Sequence, residues 1–262
     1  MINFYNFSVH IISKVLSEIF FFKKVGVYNF FINLSLGNFK YSKYRIKLSN
    51  IDNHENTYRF CLGGAYGFSY SDYLKKIDSK FIFLDIGANI GLYSCIASKN
   101  LNCEYVYAFE PVKKINKIAK KNFYLNNVKG KIINFGIHTK ICTKIVYFNP
   151  RHTGMTSLKK KNNNNFKSMI KCNFVNYKKI NKILDDKKFF YVVKIDVEGL
   201  EMNVLNQLIK LKIFKYVQSI LVEINDSKKV KQIEKKLKRY KFYNNKKFLS
   251  IFTKDFLFVK EK

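Results

Sequence analysis

Arginine, acidic residues and long apolar runs are scarce in this 262-residue chain, and each shortage narrows what the protein does. Only Arg45, Arg59, Arg151 and Arg239 stand among 49 basic residues, and 18 acids leave a formal charge of +31. Such a field attracts polyanions. The lysines, however, are scattered among Asn, Ile, Phe and Tyr, and arginine forks are the preferred phosphate readers. The charge therefore points to composition before it points to a nucleic-acid partner. Five cysteines, odd in number and without a C-x-x-C pair, argue against a disulfide framework or a zinc site and fit a reducing compartment. No basic start with an apolar core and small-residue cleavage site opens the chain, and the longest uncharged run, Val25 to Phe39, is short and dotted with Asn. Neither export nor a membrane span is expected, and a cytoplasmic location is.

What is present is apolar and aromatic enough, at 47% and 17%, to bury a core. The length suits one buried domain with an appendage. In residues 8 to 24, Val9, Ile12, Leu16, Ile19 and Phe20 form a helical stripe with Lys14, Glu18, Lys23 and Lys24 outside it. This amphipathic helix packs on the core or makes a peripheral membrane contact through its basic flanks. Between residues 40 and 75, "YRIKL" and "TYRFCL" suggest a strand pair, followed by the turn "GGAYG", whose glycines serve turn geometry or a lid.

From residue 81 short apolar strands alternate with helical periods. "FIFLDI", "YVYAFE", "KIINFGI", "FFYVVKID" and "SILVEI" are the strands; Leu92, Cys95 and Ile96, then Val112, Ile115, Ile118 and Ala119, then Val204, Leu205 and Leu208, then Val230, Ile233 and Leu237 are the inward helix faces. Continuous apolar strands separated by helices predict an α/β doubly wound, mostly parallel sheet covered on both faces. "FLSIF" and "FLFVK", separated by "TKD", predict a C-terminal antiparallel hairpin. Residues 138 to 190 form an insertion with two strands ("KIVYF", "KCNFV"), the loop "KKKNNNN" and a short helix from Tyr177 to Leu184, placed where a substrate-binding element belongs. The expected division is an extension over residues 1–75, helical and β, and a main domain over 76–262.

In such a sheet ligands bind beyond the carboxyl ends of the strands, where the strand order reverses. The first corner there is "DIGANIG", with Asp85, Gly87, Asn89 and Gly91. Gly87 allows a tight turn, Gly91 lets the next helix approach the strand, and the helix start presents free N–H groups. The dinucleotide fingerprint would be G-x-G-x-x-G; an aspartate ahead of the first glycine repels pyrophosphate but can hold an amino group. Glu110, ending the second strand, can accept from both hydroxyls of a ribose. Ammonium, carboxylate and ribose together describe S-adenosylmethionine. Taken singly, Asp85 is also a helix cap and Glu110 a solvated strand end.

"FLDIGANIG", "YAFEP", "NFYLNN", "TGMTSL", "VVKIDVEGLE" and "ILVEI", in that order over roughly residues 80 to 225, resemble the FkbM family of S-adenosylmethionine-dependent methyltransferases, with "KIDVEG" the most specific block. The resemblance implies a class I, Rossmann-like methyltransferase fold and O-methylation of hydroxyls on sugars, glycolipids, polysaccharides or polyketide-derived rings. By motif position it implies that Asp85, Gly87, Asn89, Gly91 and Glu110 line the cofactor, with Gly136 at the end of the third strand beside the adenine, although "NFGIHTK" departs there from the family's acidic tendency.

In "KIDVEG", alternation puts Lys194, Asp196 and Glu198 on one side if the strand runs through. Charges at the end of an apolar strand are costly unless paired or functional. One reading is an ion pair from Lys194 bracing the loop, with Glu198 starting the next helix. The other, following the resembling fold, places Asp196 beside the transferred methyl, with Asp196 and Glu198 as the catalytic pair. Methyl transfer is an in-line displacement that needs alignment and removal of a hydroxyl proton, which a carboxylate or a histidine, here His138 or His152, can accept. Two carboxylates without a third ligand are a thin metal signal, so no metal is expected. "TGMTSL" is a turn between strands or a set of acceptor contacts. The expected activity is O-methylation of a carbohydrate hydroxyl on a surface glycan, capsule or lipid-linked sugar precursor, the basic surface tolerating anionic saccharides. The alternatives are a nucleic-acid methyltransferase, against which "DVEG" stands where a "PPY"-like pocket would be, and a noncatalytic module that keeps the cofactor site.

Overall fold

The computed structural model describes residues 39–49, 55–64, 66, 68–158, 168–184, 189–224, 226–249 and 254–261. The expected amphipathic helix at 8–24, the "KKKNNNN" loop and Gly67 lie outside them. Two short strands, β1 (Phe39–Tyr41) and β2 (Lys47–Ser49), pair antiparallel ahead of helices α1 (Asn56–Gly63) and α2 (Phe68–Lys75). The alternating part follows as β3 (Phe81–Ile86), α3 (Leu92–Ala97), β4 (Cys103–Phe109), α4 (Lys113–Leu125) and β5 (Gly130–Ile133). The insertion contributes β6 (Gly136–Ile137), β7 (Cys142–Asn149), β8 (His152–Ser157), β9 (Ser168–Val175) and α5 (Tyr177–Ile183). The chain closes with β10 (Phe190–Ile195), α6 (Glu201–Leu208), a 3-10 turn (Lys212–Tyr216), β11 (Val217–Glu223), α7 (Ser227–Lys238), β12 (Phe242–Leu249) and β13 (Lys254–Lys260).

The main sheet has the order β12-β13-β11-β10-β3-β4-β5. The pairs from β11 to β5 are parallel, and β13 runs antiparallel to both its neighbours. From β3 the chain builds outward through β4 and β5, then returns to the other side of β3 with β10 and β11, so the order reverses between β3 and β10. This is the doubly wound, class I arrangement with the expected C-terminal hairpin, whose first strand starts earlier than expected, at Phe242.

Alternation along each strand explains the two layers. Phe81, Phe83, Val192 and Leu221 face one core with Tyr70 and Leu74 of α2, Leu92, Cys95 and Ile96 of α3 and Ile115 and Phe123 of α4. Ile82, Leu84, Ile86, Val193 and Ile220 face the other with Ile180 of α5, Val204, Leu205 and Leu208 of α6 and Ile233 and Leu237 of α7. Every residue of β3 is buried, as a central strand covered on both faces requires. No helix among the described residues is long and apolar enough to cross a membrane.

Two elements differ from expectation. "TYRFCL" is helical: Glu55 accepts hydrogen bonds from the Thr57 and Tyr58 N–H groups at the start of α1, and Gly64, at φ 75°, ends it. Its buried residues Thr57, Tyr58, Cys61 and Leu62 share one helical face, whereas a strand would have put Arg59 beside Cys61. The partner of the "YRIKL" strand is β1 instead. "KIINFGI" is two strands in two sheets. Asn134 ends β5 by donating to the Glu110 and Pro111 carbonyls at 2.9 and 2.8 Å. The chain then leaves the main sheet, and β6 joins the second sheet, of order β6-β9-β7-β8.

Candidate functional site

The glycine corner sits at the switch point and is strapped to both neighbouring strands. The N–H groups of Gly87 and Ala88 both donate to the Phe109 carbonyl of β4 at 3.0 Å, and the Asp196 N–H donates to the Ile86 carbonyl at 3.0 Å. Gly87 has φ 83°, and a Cβ there would stand 1.7 Å from the Asp196 carbonyl oxygen. No side chain fits that gap. Gly91, at φ 81°, lets α3 lie against α4, where a Cβ would meet Phe123 at 3.1 Å and Ala119 at 3.5 Å. Asn89 also takes a left-handed turn, at φ 49°, and its side chain accepts from the Ile90 N–H at 2.7 Å, a conformation asparagine tolerates. The Gly91 N–H donates to the Ala88 carbonyl, so the backbone donors of residues 87 to 91 are engaged internally.

Glu110 follows β4 and faces this corner. Its two oxygens accept from the Asn89 N–H at 3.0 Å and the Val112 N–H at 2.9 Å. Burial pushes the carboxyl up to about 7; the two N–H groups pull it down, and the Asp196 and Asp85 charges add to the rise. Pinned in this way, each oxygen keeps a lone pair for a ligand hydroxyl.

Asp85 lies beneath the corner, at 0% exposure. One oxygen accepts from Ser94 Oγ of α3 at 2.7 Å; the other has no hydrogen bond and stands 3.9 Å from Lys194 Nζ. Burial raises its pKa, while Lys194 and Ser94 oppose the rise. Gly136 is buried in β6, and the Phe174 ring occupies the space a Cβ would take, at 2.3 Å.

"KIDVEG" leaves the sheet at Ile195, yet its three charged residues stay together. Lys194 Nζ bonds Asp196 Oδ2 at 2.9 Å, and oxygens of Asp196, Glu198 and Glu223 lie within 4.8 Å of one another. Glu198 occupies a left-handed turn at φ 46°, and the next helix starts three residues later at Glu201, which accepts from the Gly199 N–H. Glu223 ends β11, paired in register with Asp255 of β13. Burial, then Asp196 and Asp255, push Glu223 up to about 10. Burial and Asp196 push Asp255 up to about 7, against the pull of Lys194. Burial and mutual repulsion thus favour the protonated forms of Glu223 and Asp255 even with the Lys194 ammonium beside Asp196. Spacing alone assigns this acid-rich pocket no metal.

Sequence reasoning missed Glu223 and Asp255. The final glutamate of "SILVEI" was a signal, since it ends the strand beside "KID"; Asp255 becomes visible only with the hairpin register. Tyr66 is also at this edge: burial raises its phenol first, with Glu223, Asp196 and Glu198 contributing. Its hydroxyl stands 3.4 Å from His152 Nε2, and Phe60 packs edge-on against both rings. Burial holds His152 below the ordinary histidine value. His138 lies instead beside Thr139 and Lys140, with its pKa lowered by partial burial and then by Lys144 and Lys140. "TGMTSL" is a strand. The Thr153 N–H and hydroxyl donate to Glu55, and the Gly154 N–H to the Thr57 hydroxyl, anchoring the start of α1.

Residues 85–243 match the model of the methyltransferase FkbM domain. Over 168 residues, 58% of this chain and 67% of the relative, the sequence is 26% identical to Methyltransferase 1 of Beauveria bassiana. Among solved structures, the chain is similar to M. capricolum TrmK in complex with S-adenosyl-homocysteine, at 13% identity and TM-score 0.46, over 74% of this chain and 69% of that one. It is also similar to the precorrin-6y C5,15-methyltransferase of Geobacter metallireducens, at 9% identity and TM-score 0.45, over 74% and 87%.

Proposed function

The chain belongs to the FkbM methyltransferase family, with S-adenosylmethionine as its methyl donor, and from that premise we propose that it methylates a hydroxyl of a carbohydrate. When bound, S-adenosylmethionine supplies an electrophilic methyl group on a sulfonium. In this reading Glu110 takes the ribose hydroxyls on its two pinned oxygens. Gly87, Asn89 and Gly91 shape the corner beside it, and Asp85 supports the corner from below through Ser94. Gly136 lets Phe174 close the second sheet on the adenine side.

Asp196 takes the acceptor proton. With the electrophilic methyl supplied by bound S-adenosylmethionine, the Asp196 carboxylate, the partly exposed acid at the switch point, would accept the hydroxyl proton that the acceptor oxygen gives up. Glu198 and Glu223 line the same edge, where their carboxyl groups bond neighbouring hydroxyls. The observation that carries the reading is this set of carboxylates with Tyr66 at the same edge, which suits the paired hydroxyls and an apolar face of a sugar ring. In this reading the domain over 76–262 carries the chemistry, and α1 and Tyr66 of the extension ahead of it border the acceptor side.

Labelled S-adenosylmethionine incubated with glycan and nucleic-acid fractions of a cell extract tests this. Alkali-stable label in the glycan fraction, lost in Asp196→Asn, is expected. Label confined to nuclease-sensitive material would make the protein a nucleic-acid methyltransferase, and donor binding without any transfer would favour a noncatalytic module.

A further inference from the structure

The described acid-rich edge contains one feature that the reaction as derived does not use. Lys194 is 4% exposed on β10, in register with Asp85 of β3 on one side and Leu221 of β11 on the other. Taking an ammonium out of water costs several kcal/mol unless its surroundings compensate. Here three groups do so: Asp196 Oδ2 at 2.9 Å, Asp85 Oδ1 at 3.9 Å, and the Tyr93 ring face, whose centroid is 4.8 Å away. Burial alone would lower the lysine's pKa, but the Asp196 and Asp85 charges outweigh it and raise the value above the ordinary one, so the group is a permanent cation.

Two of the three contacts come from the donor corner. Ser94 holds the far oxygen of Asp85, and Tyr93 precedes Ser94 on α3. The ammonium is therefore fixed by the elements that build the donor site, and the third contact passes that position on to Asp196. The backbone of Asp196 is also fixed, its N–H on Ile86 and its carbonyl against Gly87, which leaves the side-chain torsions as its freedom. A bond to a buried, immobile ammonium removes that freedom.

We propose that Lys194 is a positioning residue for methyl transfer, held by Asp85 and Tyr93 so that it aims the Asp196 carboxylate at the acceptor oxygen without touching either substrate. The proposal rests on Asp196 being the base. It gives the lysine of "KID" a task that bracing a loop does not include, since it makes the angle of the base depend on the geometry of the donor corner.

The test compares Lys194→Met, Lys194→Arg, Asp196→Asn and the double variant Lys194→Met/Asp196→Asn. It reads donor affinity by calorimetry with S-adenosylmethionine, turnover with labelled donor on the fraction that wild type labels, and the Asp196 side chain in crystals of Lys194→Met. Lys194→Met is expected to lower kcat about 100-fold, the scale of a misplaced catalytic group, with donor affinity kept within about tenfold. Adding it to Asp196→Asn should cost less than about threefold more, because the lysine acts through the residue already removed. In the crystals the Asp196 carboxylate should have left its wild-type position.

Wild-type kcat in Lys194→Met while Asp196→Asn is inactive would overturn the proposal and leave the base assignment standing. Full activity in Asp196→Asn would remove the base assignment itself. Multiplying losses in the double variant, or an unmoved Asp196 in the crystals, would reduce Lys194 to a structural ion pair, the last outcome being readable even if no acceptor is found. Should Lys194→Met fail to fold, Lys194→Arg keeps the charge but changes its shape; reduced kcat with intact donor binding supports aiming, and wild-type kcat refutes it.

Discussion

Replacing Gly87 with alanine tests how tightly the donor corner and the base are built into one another. Two costs can be worked from the geometry. At φ 83° an L side chain is strained by about 1–2 kcal/mol. The new Cβ would also stand 1.7 Å from the Asp196 carbonyl oxygen and 2.8 Å from its carbon, both backbone atoms that no rotamer change can move. Relieving such an overlap by shifting main chain costs about 1–3 kcal/mol. Together they predict a loss of about 2–5 kcal/mol for Gly87→Ala. Gly91→Ala is the control, since it has nearly the same φ, at 81°, but its Cβ would meet side chains and no backbone, the edge of Phe123 at 3.1 Å and Ala119 at 3.5 Å. It should lose about 1–2 kcal/mol. Urea denaturation with a common m value separates the two midpoints, and the thermal midpoints should differ by about 2–4 °C for each kcal/mol between them. Because the relief must displace Asp196 or the corner, Gly87→Ala should also weaken turnover more than stability alone explains. Equal destabilisation of the two variants would refute the wedge between Gly87 and Asp196.

Two predictions concern pH. Glu110, raised by burial to about 7, must shed its proton to accept from two hydroxyls, so affinity for S-adenosylmethionine should fall as pH drops below about 7, by up to about tenfold per unit. Calorimetry between pH 5 and 8 checks this, with Glu110→Gln expected to be flat and a flat wild-type profile counting against the ribose role. Glu223 and Asp255, raised to about 10 and about 7, bind protons in the folded state that the unfolded chain has already released. The stability these two groups contribute without ligand is therefore fully present below the unfolded carboxyl values near about 4 and is lost as pH rises through the folded ones. Thermal midpoints that fall from pH 5 to 9 in wild type, and fall less in Glu223→Gln, would bear this out; a midpoint that rises with pH would not.

The sheet was legible because its strands are buried on both faces and so read as unbroken apolar runs, and "FIFLDI" coincides with β3. The helix at 56–63 was not, because glutamate is outside the usual set of capping residues and the partners that fix Glu55, Thr153 among them, are remote in sequence. "KIINFGI" hid its break for the same reason, since Asn134 ends the strand by bonding to residues 110 and 111. At the site, the corner positions of Gly87 and Gly91 and the strand-end position of Glu110 could be placed from spacing; Gly136 could not, since it lies in β6 of the second sheet and not at the end of the third strand. The depth of Asp85 could not, because what covers and pairs it, Lys194, arrives on a strand more than a hundred residues later. The acid pocket needed two registers, β10 beside β11 and β11 beside β13, before Glu223 and Asp255 joined Asp196.

Calorimetric titration of S-adenosylmethionine into wild type, Glu110→Ala and Asp196→Asn bears most directly on the division of the site into a donor half and an acceptor half. Wild type is expected to bind, Glu110→Ala to bind at least about tenfold more weakly through loss of charge-assisted hydrogen bonds, and Asp196→Asn to bind within about threefold of wild type. Unchanged affinity in Glu110→Ala, or no binding by wild type, would contradict it.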